Sequence, residues 1–240
     1  MVKGVLIDYG GTIDTNGLHW GSVLWDSYQW NKVDVDKASF AKAYSFGERS
    51  LALNPIIKPE HSFYETLVLK VEQQFKFLSD NGFEGNFLTD TLVKSIAKDC
   101  NDFALLSINK AKPTLQKLAE KYPLVLVSNF YGNIHKVLQV FEIDHFFETV
   151  IESAVVGIRK PNPEIYKLGV DFLNILPEEC VVIGDSFPKD IVPAKTLGCK
   201  TIWLNVAGWE EAVDNGEPAF RSDCEISSFG KVIEELRKLS

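Results

Sequence analysis

The sequence predicts an α/β fold in which a parallel-sheet core carries an inserted helical domain. Three apolar runs, each of strand length, end at polar residues and turn formers. They cover residues 2–7, 124–129 and 181–185. Because uninterrupted apolar strands indicate a parallel sheet covered on both faces, ligands are expected beyond the carboxyl ends of the strands. Asp8, Ser128 and Asp185 should therefore meet at one edge of the sheet.

The first strand is followed at once by Asp8-Tyr9-Gly10-Gly11-Thr12. The glycine pair permits a tight turn, so we expect the Asp8 carboxylate to project from the sheet edge, where it can attack an electrophile. For this pentapeptide alone, an aspartate that merely caps a turn is an equally good interpretation.

The strand pattern gives way to helical periodicity between residues 16 and 108. Its clearest stripe has apolar residues at spacings of four and three, as one face of an amphipathic helix has. These residues are Phe63, Leu67, Val71, Phe75 and Leu78. We interpret 16–108 as an inserted helical domain, which leaves 1–15 and 109–240 as the core.

Three further helices are predicted in the second part of the core. They cover 113–122, 134–141 and 164–173. The third is opened by Pro161-Asn162-Pro163, since proline favours the first turn of a helix. Helices that alternate with the strands complete the pattern of a covered parallel sheet.

Composition excludes several classes of protein. The formal net charge of −8 and the lack of any lysine or arginine run argue against nucleic-acid binding. No apolar stretch approaches membrane-spanning length, and a carboxylate comes too early for a signal-peptide core. We therefore expect a cytoplasmic protein without a membrane partner, whose four separated cysteines are reduced structural thiols.

Three further groups of polar residues, in a particular order along the chain, favour a functional interpretation of the Asp8 turn. Ser128-Asn129 follows the second strand, Lys160 stands in Gly-Ile-Arg-Lys-Pro, and Gly184-Asp185-Ser186 with Asp190 follows the third. In order and separation this set resembles the four motifs of the haloacid dehalogenase superfamily. The resemblance implies a Rossmann-like core, a helical cap inserted as 16–108, and hydrolase activity on a small, typically phosphorylated, molecule.

The resemblance also implies a magnesium site. Its ligands would be the Asp8 carboxylate, the backbone carbonyl of Gly10 and the Asp185 carboxylate, an oxygen-only set that suits a hard cation. Asp190 would support the metal or orient Lys160. Asp8 would be the nucleophile and would form an aspartyl-phosphate intermediate.

The phosphate would be bound by the remaining motif residues. By resemblance, Ser128 with Asn129 donates hydrogen bonds to the phosphate, and Lys160 supplies positive charge to the phosphate and to Asp8. Thr12 would add a hydroxyl that stabilises the turn beside the substrate. Taken singly, each of these residues has a commoner structural interpretation as a cap or a solvated charge.

The first motif departs from that of the superfamily's phosphatases at Gly10. Those enzymes have a second aspartate there, which protonates the leaving group and then activates water. Magnesium binding should survive, because the main chain supplies that ligand, but acid and base catalysis at this point should not. Asp14 is either a substitute acid or, as we prefer, a local turn former.

Three functions are compatible with these motifs. A magnesium-dependent phosphatase of a small phosphorylated metabolite is the main hypothesis. A degenerate member that binds a phosphorylated ligand with little turnover is kept open by Gly10. A hydrolytic 2-haloacid dehalogenase is weaker, because the Gly184-Asp185-Ser186 motif resembles the magnesium-dependent branch and the tyrosine of the first motif stands one place early, at Tyr9.

The inserted domain carries no diagnostic motif. Glu48 and Arg49 follow Gly47 in what we interpret as a loop facing the core. Arg49 is the candidate contact for an anionic substrate, although an exposed, salt-bridging arginine is the more common situation. An aromatic group at the start of the domain is interpreted as packed core in preference to a substrate wall. It consists of Trp20, Trp25, Tyr28 and Trp30.

Overall fold

Six parallel strands form the centre of the molecule. The structure is a computed structural model, and it describes residues 1–83, 89–206 and 221–239. The strands are β1 (Gly4–Ile7), β2 (Leu124–Ser128), β3 (Thr149–Glu152), β4 (Cys180–Gly184), β5 (Lys200–Leu204) and β6 (Cys224–Ile226). Their order in the sheet is β3-β2-β1-β4-β5-β6, which confirms the predicted α/β class.

The sheet has its crossover point at β1. The chain first adds β2 and β3 on one side of β1, and then crosses to add β4, β5 and β6 on the other. Ile7 is aligned with Leu126 of β2 and with Ile183 of β4. This register places Asp8, Ser128 and Asp185 at the same edge, where doubly wound sheets bind their ligands.

The central strands are apolar on both faces, and both faces are covered. Val5 and Ile7 belong to a large hydrophobic cluster that also includes the helices of the inserted domain. Leu6, between them, points to the opposite face and packs in a second cluster with Ile165 and Tyr166. Alternation along a strand explains this division, because successive side chains lie on opposite faces of a sheet.

Four long helices follow the Asp8 turn. They are α1 (Trp20–Trp30), α2 (Lys37–Leu53), α3 (Phe63–Asp80) and α4 (Asp90–Ala119). α3 begins at a capping box, in which Ser62 accepts from the Glu65 N–H and the Glu65 carboxylate accepts from the Ser62 N–H. All five residues of the predicted apolar stripe are buried on this helix, so that prediction is confirmed.

The helix predicted to start at residue 113 has a different extent. α4 already begins at Asp90 and continues through Pro113 to Ala119. A proline inside a helix removes the bond to the carbonyl four residues earlier, here that of Asn109, but both residues are exposed and water can replace the donor. The predicted division between 108 and 109 falls within this helix, which packs against α1 and α3 and also against the C-terminal helix.

The remaining helices cover the sheet. They are α5 (Ile134–Val140), α6 (Ser153–Val156), α7 (Glu164–Leu173), α8 (Val192–Leu197) and α9 (Val232–Leu239). α5 and α7 confirm the helices predicted at 134–141 and 164–173, α5 ending one residue earlier. Within the described part of the chain, no helix combines the length and the apolar character that crossing a membrane requires.

Candidate active site

The turn after β1 sets the direction of the Asp8 side chain. Gly11 has a φ of +98°, and a Cβ there would lie 2.3 Å from the Asp185 carboxylate, so only glycine fits. Gly10 is different: it is exposed, its φ is not positive, and no atom lies within 4 Å of where its Cβ would be. The position of the missing second aspartate is therefore open and unstrained.

Thr12 links the first strand end to the β4 strand end. Its hydroxyl lies 3.0 Å from both the Asp8 carboxylate and the Asp185 carboxylate. It also accepts a hydrogen bond of 3.1 Å from the Asp185 N–H. Since a hydroxyl has one hydrogen to donate, it can donate to one of the two carboxylates at a time, and it compensates the charge of neither.

Lys160 lies between two buried carboxylates. Its ammonium is 2.5 Å from Asp8 and 2.8 Å from Asp190. Burial opposes the charge of Lys160, but the fields of Asp190 and Asp8 outweigh it and raise its pKa, so the ammonium stays protonated. The Lys160 ammonium, which the sequence predicts beside Asp8, is thus in contact with the Asp8 carboxylate.

Two residues fix the position of Lys160. The Asn129 side chain accepts a hydrogen bond of 2.9 Å from the Lys160 N–H and donates one of 3.1 Å to its carbonyl. The Tyr166 hydroxyl donates to Asp190 at 2.7 Å, and the ammonium lies 5.3 Å from the centre of its ring. Asn129 therefore binds the lysine backbone. Tyr166, which sequence reasoning missed, lies in the first turn of α7, six residues after Lys160, with no motif of its own to mark it.

The acidic residues can hold a hard cation. Carboxylate oxygens of Asp8, Asp185 and Asp190 lie within 4.8 Å of one another. Burial, opposed by Lys160, raises the pKa of Asp8 to about 6, and burial together with the charges of Asp8 and Asp190 raises that of Asp185 well above its ordinary value. A divalent cation would relieve this repulsion, so the donor set fits Mg²⁺.

The three acids are not equivalent as ligands. Asp190 accepts from Lys160 and Tyr166 on one oxygen and from the Ser186 N–H on the other. Asp185 has one oxygen bonded to Thr12, while its second is directed toward Gly11. Asp185 therefore has more free acceptor capacity for a metal than Asp190, which contacts Lys160 directly. The ligand set of Asp8, Asp185 and the Gly10 carbonyl stays a prediction.

Ser128 and Arg49 occupy contrasting places. Ser128 is the buried last residue of β2, at the same sheet edge as Asp8. Arg49 is exposed and lines a surface pocket with Ser45, Phe46 and other residues of α2 and α3. The segment interpreted as a loop at Gly47 is helical, because it lies inside α2. The structure therefore does not bring Arg49 together with the motif residues.

Asp14 is buried and shapes the turn. One of its carboxylate oxygens accepts from the Gly11 N–H at 2.7 Å, and the other from the Trp20 indole N–H at 2.9 Å. Burial raises its pKa to about 7. With both oxygens bonded, Asp14 acts as a turn former that also attaches α1 to the first motif.

The four aromatic residues at the start of the helical domain differ in their packing. Trp20 packs on Phe63, and Trp25 and Tyr28 pack on Phe40. Those three side chains support the packed-core interpretation. Trp30 is 69% exposed and belongs neither to that core nor to a wall of the site.

Comparison with known proteins agrees with this arrangement. The sequence profile of haloacid dehalogenase-like hydrolases matches residues 2–198. The chain is 40% identical over 76 residues to the glyceraldehyde 3-phosphate phosphatase of Pyrococcus furiosus. The aligned segment covers 32% of this chain and 31% of that protein. It is 33% identical over 61 residues to the phosphoserine phosphatase of Thermus thermophilus, covering 25% and 24%. These alignments span a third or less of each relative.

Solved structures resemble the whole chain. A dehalogenase with an intermediate complex has a TM-score of 0.63 at 16% identity, with 98% of this chain and 96% of that one covered. A HAD phosphatase from Thermococcus onnurineus has a TM-score of 0.53 at 22% identity, with 98% of both chains covered. At these identities the likeness concerns the fold. Because the family profile covers most of the chain, this protein belongs to the haloacid dehalogenase-like hydrolases.

Proposed function

We propose that this chain is a magnesium-dependent phosphatase of a small phosphorylated metabolite, with Asp8 as nucleophile. The observation that carries the proposal is the contact of Asp8 with Lys160 beside the Asp185 carboxylate. A carboxylate attacks a phosphate only when their repulsion is compensated. Lys160 provides one positive charge, and Mg²⁺ on Asp8, Asp185 and the Gly10 carbonyl would provide the rest.

Each residue then has a defined task. Asp8 attacks phosphorus to form an aspartyl phosphate, while Ser128 donates a hydrogen bond to a phosphate oxygen. Lys160 keeps Asp8 ionised and contacts the incoming phosphate. Asn129, which bonds both backbone groups of Lys160, and Asp190 act as positioning residues.

The leaving group must suit a site without an acid at Gly10. In the described part of the chain, the buried acid nearest to Gly10 in sequence, apart from Asp8 itself, is Asp14, whose oxygens are both engaged. Leaving groups that depart without full protonation, such as those of acyl and aryl phosphates, should therefore be cleaved best. The same gap favours a second candidate, a phospho-ligand-binding protein with little turnover.

One set of assays tests the proposal. Phosphate release from acetyl phosphate, an aryl phosphate and alkyl phosphates is measured with Mg²⁺ and with chelator, beside halide release from 2-haloacids. We expect phosphate release that chelator abolishes and Mg²⁺ restores, and none from Asp8→Asn.

The other outcomes decide between the alternatives. Unchanged release by Asp8→Asn would contradict the mechanism. Halide release that chelator does not affect would establish the dehalogenase, and ligand binding without release would establish the second candidate.

A further inference from the structure

A buried polar group joins the helical domain to the core beside the site. Glu48 of α2 and Lys70 of α3 form an ion pair of 2.6 Å. The other Glu48 oxygen accepts a hydrogen bond of 2.6 Å from the hydroxyl of Tyr131, in the loop after β2. The Lys70 ammonium also lies 5.3 Å from the centre of the Tyr131 ring. The three side chains are one connected group, which we call the cap triad.

The ammonium of Lys70 retains hydrogen-bonding capacity. The residue is only 7% exposed, and an ammonium has three donors. Within the described residues, Glu48 is the acceptor that it contacts. The contact with Glu48 uses one of these donors, so the others can bind an acceptor that water or a ligand supplies.

The cap triad includes a residue of the loop that follows β2, at the end of the sheet where phosphate would bind. Tyr131 comes three residues after Ser128, and the side chain of Glu48 keeps 30% of its surface exposed. Burial lowers the pKa of Lys70, but Glu48 and, more weakly, charges that include Asp14 outweigh it and raise that pKa. Burial raises the pKa of Glu48, but Lys70 and, more weakly, charges that include Lys189, adjacent to Asp190, outweigh it and lower that pKa.

The chemistry of this pair selects one kind of group. A carboxylate only accepts hydrogen bonds and an ammonium only donates them, whereas a hydroxyl does both. A hydroxyl can accept from Lys70 while it donates to Glu48, and it leaves the charge balance of the pair unchanged. A ligand carboxylate would satisfy Lys70 but would face Glu48, and an alkyl chain would satisfy neither.

We propose that Glu48 and Lys70 are specificity-determining residues that bind a hydroxyl of the leaving group, so that the substrate is a phosphorylated polyol or sugar. The proposal rests on the proposed function only for the place of the phosphate. It assigns to the helical domain the recognition that Arg49, on the outer surface, does not provide.

Ligand binding tests this without turnover. The affinity of Asp8→Asn protein with Mg²⁺ is measured by calorimetry for two matched pairs, glycerol 1-phosphate against propyl phosphate and glucitol 6-phosphate against hexyl phosphate. We expect the hydroxylated ligand of at least one pair to bind roughly 10-fold more tightly, as a hydrogen bond to a charged group allows. Adding Lys70→Met should bring that ratio close to one.

Two more variants separate recognition from a structural contact. Glu48→Gln, which keeps the shape of the side chain, should also lower the ratio and serves if Lys70→Met does not fold. Tyr131→Phe removes the contact between cap and core but leaves both charges, so it should change the affinities of both ligands alike and preserve the ratio.

The outcomes distinguish this proposal from the proposed function. Equal affinities within both pairs, no binding of any of the four ligands, or an equal loss for both ligands of a pair in Lys70→Met and Glu48→Gln, would overturn the role of the pair. A preserved preference in a wild-type protein that releases no phosphate would instead overturn the phosphatase and leave the hydroxyl-binding role in place.

Discussion

At the scale of single residues, we expect the open position at Gly10 to limit the hydrolysis of alkyl phosphates. Gly10→Asp restores the carboxylate that the phosphatases of this superfamily use as acid and base, and neither a positive φ nor a close atom opposes it. Hydrolysis of alkyl phosphates should rise by up to roughly 10²-fold, the contribution of a positioned general acid. Aryl and acyl phosphates should gain less, because their leaving groups tolerate negative charge.

The control for Gly10→Asp is the neighbouring glycine. Gly11→Asp should inactivate the protein, because a Cβ there meets Asp185 at a positive φ. An equal gain for alkyl and aryl substrates in a folded, magnesium-binding Gly10→Asp variant would show that the missing acid does not limit the rate.

Asp14 should make stability depend on pH. Its pKa is about 7 in the folded protein, against an ordinary value of 3.8, because burial disfavours its charged form. The folded state therefore holds the proton more tightly, and this residue's contribution to stability falls as the pH rises from about 4 to about 7. The free energy of unfolding is measured with denaturant for wild type and for Asp14→Asn, whose side chain does not titrate. The amount by which wild type is the more stable protein should decrease as the pH rises over that range.

Other titrating acids are present in both proteins and cancel in the difference. A difference that stays constant between pH 4 and 8 would mean that Asp14 is ionised throughout, and that its two hydrogen bonds outweigh its burial.

Part of the site was predictable from the sequence because its residues stand at strand ends. Parallel strands bring their carboxyl ends together, so Asp8, Ser128 and Asp185 could be placed at one edge, whereas Lys160 and Asp190 were expected there only from the family resemblance. The ion pair of Glu48 and Lys70 could not, since it depends on how α2 packs against α3. For the same reason the sequence suggested Arg49 as the substrate contact. Arg49 directly follows Glu48 in α2, but the helix places it on the outer surface.

At the scale of elements, α4 shows how local signals mislead. The sequence predicts a helix over 113–122, in which Pro113 would stand in the first turn, where proline is common. The apolar positions of α4 instead continue from Val93 to Leu118, and burial of this stripe stabilises one helix of 30 residues across the proline. Packing over such a length, about 45 Å, outweighs a single missing hydrogen bond.

Replacing the proline should stabilise the protein. Pro113→Ala restores an N–H that can bond the exposed Asn109 carbonyl, but it also gives the unfolded chain more conformational freedom. Since the first effect is larger, the free energy of unfolding should rise by about 1–2 kcal/mol. Lys110→Ala, at an exposed position of the same helix, is the control and should change it by less than about 0.5 kcal/mol. A loss of stability in Pro113→Ala would indicate that α4 needs a bend at this point.

At the scale of the whole molecule, one hydrophobic cluster unites the helical domain with a face of the sheet. Tyr9, next to Asp8, contacts Phe63 of α3 and Phe130 of the core, with ring centres 6.4 and 5.7 Å apart. The domain therefore packs directly on the Asp8 turn, where exclusion of water would strengthen the electrostatic interactions around Asp8. The parallel sheet was predictable from its apolar strands, but this contact depends on tertiary packing that no periodicity reveals.

The central claim is that Asp8 is phosphorylated during turnover. Acetyl phosphate needs no acid to leave, whereas hydrolysis of the aspartyl phosphate lacks a base at Gly10, so the intermediate should accumulate. Protein mixed with acetyl phosphate and Mg²⁺, quenched in acid and analysed by mass spectrometry, should carry one phosphoryl group on the peptide that contains Asp8, and none with chelator or in Asp8→Asn. Phosphate release without phosphorylated protein, or a phosphoryl group on another peptide, would contradict the account.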